Sequence, residues 1–160
     1  MKFFLDTEFI EDGKTIDLIS IGIVAEDGRK YYAISNEFDA FKADQWVRDN
    51  VITKLDPTLP RKSRALIAQE VLDFVGEKPQ FWGYYADYDW VVLCQLYGRM
   101  IDLPKGWPMF CMDVKQYAQY LGNPALPQKP DNLHCALDDA LWTREAYWYL
   151  WSIDNSAPAK

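Results

Sequence analysis

The stretch FFLDTEF (residues 3–9) is an apolar run that closes on two carboxylates, Asp6 and Glu8, with only Thr7 between them. The apolar half reads as a buried strand. In a strand, successive side chains point to opposite faces, so Asp6 and Glu8 project on the same side, close enough to repel. A positive charge between them removes the conflict, and same-side spacing is what chelation of a cation needs. The competing reading is an edge strand that emerges into solvent.

Outward from this strand, DLISIGIVA (17–25) and KYYAI (30–34) read as two further strands. Asp27-Gly28 lies between them, where a tight hairpin uses such a pair. An antiparallel meander is the simplest product. DAFKADQWVRDNV (39–51) and SRALIAQEVLDFVG (63–76) read as helices, the second with Ser63 as N-cap and Gly76 as stop, and DPTLPRK (56–62) as the loop between them. PQFWGYY (79–85) returns to a strand and leads into a helix over residues 89–97, which a break at LPKGWP (103–108) ends. MFCMDV (109–114) is a short strand and VKQYAQYLG (114–122) a helix. NPALPQKPDN (123–132) is a proline-rich loop before a long last helix that begins near His134. Three strands followed by helices interleaved with two more strands predict an α/β or α+β layered domain, a mixed sheet with helices on its faces. Residues 1–160 read as a single domain, with about 153–160 as a frayed tail.

The 160-residue length fits one domain with a full core, and 49% hydrophobic against 26% charged residues is ordinary for a globular chain. No apolar run approaches a bilayer span, and MKFFLDTE lacks the apolar region and cleavage site of a signal peptide. The expected location is therefore cytoplasmic, without membrane partners. Cys94, Cys111 and Cys135 are odd in number and never spaced C-x-x-C, which fits reduced, packed thiols and neither a disulfide framework nor a zinc site. With 17 basic and 24 acidic residues the net charge is −7, which argues against gripping long nucleic acid on a broad basic face. A small substrate, or a strand end held locally through metal ions, stays compatible.

Two more acidic sites fall at element junctions. YYADYDW carries Asp87 and Asp89. HCALDDA carries His134, the single histidine of the sequence, with Asp138 and Asp139. Open α/β sheets place ligands at strand ends and helix starts, so the three junctions can converge on one cleft. A carboxylate set suits a hard cation, Mg²⁺ or Mn²⁺. Singly, each feature has a plainer reading: acidic pairs often sit on solvated faces, an acid at a helix start favours the macrodipole, and a lone histidine is often structural.

LDTEF, YADYDWVVL and His134 followed five positions on by Asp139 resemble the three motifs of the DEDDh 3′–5′ exonucleases, in order and spacing along nearly the whole chain. YDWVVLCQLYGRMIDLP is further similar to the RNase AS branch, polyadenylate-preferring 3′–5′ exoribonucleases of mycobacteria. Many DEDDh enzymes carry asparagine four residues before the third acid, where this chain has Tyr85; the RNase AS branch resembles it in that respect. The match selects Asp89 over Asp87, because Tyr88 fills the aromatic position before the acid. It selects Asp139 over Asp138 by the His-x(4)-Asp spacing.

The resemblance implies a ribonuclease-H-like mixed sheet, an antiparallel meander first and parallel strands after. It implies catalytic Asp6, Glu8, Asp89, His134 and Asp139, with Asp6, Glu8, Asp89 and Asp139 holding two Mg²⁺ ions that Mn²⁺ can replace. His134 is the expected general base, neutral near physiological pH. Five positions rotate a helical side chain well away, so His134 is expected at or before the helix start, reaching the bond from another direction than Asp139. Phe9 and Tyr85 are the expected substrate contacts, by similarity. With 16% aromatic residues, single-stranded bases can stack without a basic stripe. The expected substrate is the 3′ end of single-stranded RNA, adenylates first, released as nucleoside 5′-monophosphates. A DNA or short-oligonucleotide exonuclease, and a catalytically silent binding module, are the alternatives. RNase AS enzymes are dimeric, and LWTREAYWYLW offers apolar surface at several helical phases, so a homodimer is expected.

Overall fold

The computed structural model describes residues 1–129 and 134–156. The opening stretch forms β1 (Lys2–Glu11), and β2 (Ile16–Ala25) and β3 (Lys30–Ser35) follow it as the antiparallel meander. Gly28, at φ 93, supplies the left-handed residue of the hairpin turn. β4 (Arg61–Lys62), β5 (Gln80–Gly83) and β6 (Met112–Asp113) complete a six-stranded sheet in the order β4-β3-β2-β1-β5-β6. The last three strands join in parallel: β5 beside β1, β6 beside β5 and β4 beside β3. The mixed sheet, antiparallel first and parallel after, is the architecture expected.

Helices cover both faces. α2 (Arg64–Val75), capped by the Ser63 hydroxyl and ended at Gly76, packs with α3 (Asp87–Gln95) on Phe3, Leu5, Ile21, Ile23 and Phe81. α4 (Val114–Tyr120) and α5 (Ala136–Ser156) cover the opposite face over Phe4 and Trp82. Strand alternation therefore sends Phe3 and Leu5 to one core and Phe4 to the other. Each such fully buried side chain contributes roughly 1.5–3 kcal/mol.

Four elements differ from expectation. Residues 39–51 form no continuous helix: a 3₁₀ turn at Ala40–Lys42 precedes α1 (Gln45–Asn50). Asp39 and Asp44 cause the break, since each carboxylate accepts a backbone N–H and starts a new helical turn. The loop at 56–62 contains β4, whose pairing depends on a distant strand. α3 begins at Asp87, two residues before the expected start. The tail is a correction: α5 stays helical through Ser156, anchored by buried Leu150 and by the Tyr117 hydroxyl, which donates to Asp154 at 2.7 Å. Residues 157–160, and 130–132 of the proline-rich loop, lie outside the described residues.

A register shift shapes the working face. Glu8 pairs with Ser20 but Phe9 pairs with Leu18, leaving Ile19 as the extra residue of a β-bulge. Ile19 then packs with Ile10, Ala43 and Val51 in a third cluster beneath the α1 segment. The face that carries Phe4 is thus roofed at one end by α5 and at the other by the α1 segment. Asp6 and Glu8 occupy the gap between the two roofs.

Candidate active site

The gap is a cleft lined by Asp6, Thr7, Glu8, Phe9, Asp89, Lys129, His134 and Asp139. The three acidic junctions of the sequence converge here. Asp6, Glu8 and Asp139 each offer an oxygen within 4.8 Å of the others. Asp89 lines the same cleft. Asp87 borders a separate depression with Trp90, Met100 and Phe110, and Asp138 another with Trp142, Arg144 and Trp148.

Each acid is delivered by a local feature of the sequence. Asp6 pairs with Gly22 on β2, and the first turn of α5 lies directly on that glycine. A Cβ at Gly22 would stand 2.3 Å from the Ala136 carbonyl oxygen. This close approach brings Asp139, one turn further on, down beside Asp6. Asp89 comes from the other face. β5 ends at Gly83, just past the Phe4–Trp82 pair, so β5 does not reach the Thr7 N–H on that edge. It donates to Asp89 Oδ1 at 2.9 Å, and the Thr7 hydroxyl donates to the same oxygen at 2.6 Å. A tight turn makes this possible: Gly83 sits against Ala86, with Tyr85 left-handed at φ 57. The Asp113 carboxylate accepts the Ala86 N–H at 2.9 Å and also caps α4 through the Gln116 N–H at 2.8 Å.

His134 precedes α5 with its backbone left-handed at φ 69, and its N–H donates to Asp139 Oδ2 at 3.1 Å. The imidazole meets Trp46 of α1 edge-on, ring centroids 4.7 Å apart, so the contact joins the two roofs. Asp139 Oδ1 accepts Lys129 Nζ at 3.0 Å. Phe9 lines the cleft and packs edge-on against Tyr88 at 5.8 Å. Tyr85 is 66% exposed, rests on Tyr84 and is not among the residues that line the cleft.

The electrostatics are those of a crowded acidic site. Burial, then Asp89, Glu8 and Asp139, hold the Asp6 carboxyl well above the usual carboxylate range. Burial, then Asp139 and Asp89, push Glu8 up to about 8, against the pull of Lys129 and Lys54. Burial raises Asp89 to about 6 although its Thr7 bonds favour the anion. Burial lowers His134, so its imidazole is neutral at pH 7. An all-oxygen donor set this short of positive charge fits hard divalent cations.

Sequence reasoning assembled the acids and the histidine but missed three of their supports. Thr7 stands inside the decisive motif, where it reads as a spacer. Trp46 and Lys129 carry no local signal, since their place depends on how α1 and the proline-rich loop fold back. Of the other tryptophans, Trp82, Trp90, Trp107 and Trp142 are buried in the cores.

A mixed six-stranded sheet with an acidic cleft on its first strand is the ribonuclease-H-like class of α/β protein. The chain superposes on exonuclease I with a TM-score of 0.66 at 15% identity, over 95% of this chain and 40% of that one. It also superposes on a chain of the yeast NOT1 MIF4G domain–CAF1 complex, with a TM-score of 0.56 at 12% identity over 96% and 80%. Residues 1–151 match the 3′–5′ exoribonuclease Rv2179c-like domain, and the chain belongs to that family. It is 45% identical to the 3′–5′ exoribonuclease Rv2179c of Mycobacterium tuberculosis H37Rv, over 98% of this chain and 96% of the relative. The same figures hold for 3′–5′ exoribonuclease MT2234.1 of strain CDC 1551. The molecule is an exoribonuclease.

Proposed function

We propose that this chain is a metal-dependent DEDDh exoribonuclease of the RNase AS kind. It removes nucleoside 5′-monophosphates from the 3′ end of single-stranded RNA, adenylates preferentially. The observation that carries the reading is the convergence of Asp6, Glu8 and Asp139 within mutual ligand reach, in a cleft that also holds Asp89, His134 and Phe9. Asp6, Glu8, Asp89 and Asp139 would hold two Mg²⁺ ions, or Mn²⁺ in their place. When bound, these ions acidify water and neutralise charge that develops on the phosphate and the departing 3′ oxygen.

The chain's own groups supply the rest. His134, neutral and hydrogen-bonded through its backbone to Asp139, accepts the proton of the attacking water at an imidazole nitrogen. The new P–O bond forms as the bond to the 3′ oxygen breaks, leaving the phosphate on the released nucleotide's 5′ oxygen. Phe9 presents a ring for the terminal base, and Tyr88 fixes its edge. Tyr85, exposed at the turn before α3, contacts the strand outside the cleft. The half-exposed Trp151 and its neighbour Trp148 on α5 give an apolar face for a homodimer in the cytoplasm.

The test uses 5′-labelled RNA and DNA oligomers, poly(A) among them, with Mg²⁺, Mn²⁺ or chelator. Stepwise shortening of RNA from the 3′ end, lost on chelation and in Asp139→Ala, is expected. Activity that survives chelation overturns the metal reading, and equal cleavage of DNA overturns the RNA preference.

A further inference from the structure

Lys129 stands where neither the acidic motifs nor the family match assigns a role. Its ammonium lies 3.0 Å from Asp139 Oδ1, on the cleft side of a carboxylate that is itself 7% exposed. Two rings hold it there: the Trp142 centroid is 4.6 Å from Nζ and the Tyr84 centroid 5.4 Å. Trp142 is fixed in turn, its indole N–H donating to the Pro127 carbonyl at 3.0 Å in the same loop. The lysine is thus presented to Asp139 by a packed platform, while its own side chain stays 38% exposed and has room to swing outward.

Asp139 belongs to the trio of carboxylates within ligand reach of one another, so an ammonium and a divalent cation contend for the same acid. Once a divalent ion holds Asp139, the lysine faces like charge, and its flexible four-carbon stem carries Nζ toward the mouth of the cleft. The RNA phosphodiester is the anion that arrives there. Building on the metal-dependent reading above, we propose that Lys129 is an exchangeable counter-ion: it pairs with Asp139 while the site is metal-free, yields Asp139 to the metal, and transfers its charge to the substrate phosphate. It is a substrate-binding residue of the loaded enzyme and a competitor of the metal in the empty one.

The two halves have opposite signs, which makes them separable from loss of structure. Lys129→Met keeps the stem on Trp142 and removes the charge. Titration calorimetry with Mn²⁺ alone is expected to show about fivefold to tenfold tighter binding in K129M than in the parent, the scale of a half-exposed ion pair removed from competition. Steady-state hydrolysis of an oligoadenylate at saturating Mn²⁺ is expected to show KM raised by a similar factor with kcat within about twofold, because one phosphate contact is lost from binding alone. Lys129→Arg restores KM. Mn²⁺ affinity equal to or below that of the parent overturns the proposal, as does an unchanged KM. If the parent itself binds no Mn²⁺, the metal-dependent reading fails first, and the calorimetry of the parent reports this independently of the variant.

Discussion

Gly22 and Ala136 touch backbone to backbone. A Cβ added to Gly22 would stand 2.3 Å from the Ala136 carbonyl oxygen and 2.5 Å from the Leu137 nitrogen. Both clashes are with main chain, which cannot rotate away. Gly22 is also the cross-strand partner of Asp6, so one missing side chain sets the height of α5 over the acid pair. Gly22→Ala is expected to destabilise the fold by about 1–3 kcal/mol, the usual scale of overpacking. It should also weaken Mn²⁺ binding by lifting Asp139 away from Asp6. Urea denaturation with a parallel Mn²⁺ titration checks both, and a variant with unchanged stability and affinity removes Gly22 from this role.

Thr7 contributes through its hydroxyl what the strand alone cannot. Its N–H and Oγ1 both donate to Asp89 Oδ1, fixing a carboxylate that arrives from the opposite face of the sheet. Thr7→Val keeps the shape and the backbone bond but deletes the shorter contact. The expected cost is about 1–2 kcal/mol, since the bond is to a charged acceptor in a buried setting. Turnover at limiting metal should fall more than turnover at saturating metal, and Thr7→Ser should recover both. Metal dependence unchanged in Thr7→Val would leave the hydroxyl a packing group only.

These two relationships mark the boundary of what the sequence made legible. The same-face pair Asp6 and Glu8 followed from strand geometry, and Ser63 and Gly76 bounded α2 because caps act locally. The meander was readable from apolar runs separated by Asp27-Gly28. Gly22, however, looks like any glycine in a strand until the α5 crossing is known. The bulge at Ile19 leaves no mark of its own in DLISIGIVA, although it decides where the α1 roof sits. β4, two residues long, has no pattern of its own and exists because β3 offers it an edge, whereas β6 is the two-residue part of the strand expected over 109–114 that pairs with β5. Asp39 and Asp44 were visible, and a reading that weighed their capping power above the helical periodicity of residues 39–51 would have broken that helix in two.

The crowded carboxylates give the metal-free protein a pH dependence with a definite sign. Glu8 rises from an ordinary 4.5 to about 8 and Asp89 from 3.8 to about 6, while Asp6 is raised as well. Between the ordinary and the raised values the folded chain binds more protons than the unfolded one. The contribution of these three acids to stability is therefore full below about pH 4 and declines as pH rises toward 8. Melting temperature in chelator is expected to fall across this window. In millimolar Mg²⁺ or Mn²⁺ it should lie higher, with the gap widening as pH rises, because binding displaces the same protons. Glu8→Gln should flatten the chelator profile. A flat profile in the parent would show that the acids do not share one buried site.

Trp46 and His134 make the last testable pair. Their ring centroids are 4.7 Å apart and nearly perpendicular, and the tryptophan shields an imidazole that is lowered chiefly by burial. A base with a lowered pKa stays neutral further into the acid range, so the acidic limb of the kcat/KM profile should fall below about 6.5, the ordinary histidine value. Trp46→Ala exposes the ring and frees its rotation, so the limb should move up toward that value and kcat at neutral pH should drop roughly tenfold through lost orientation. Trp46→Phe, which keeps an aromatic wall, should retain most of both. His134→Ala should abolish the limb together with nearly all activity while the fold remains intact. Trp46 is half-exposed and remote from both main cores, so its removal should leave the melting temperature almost unchanged. A kcat loss with no movement of the acidic limb would mean that Trp46 serves the substrate and not the base.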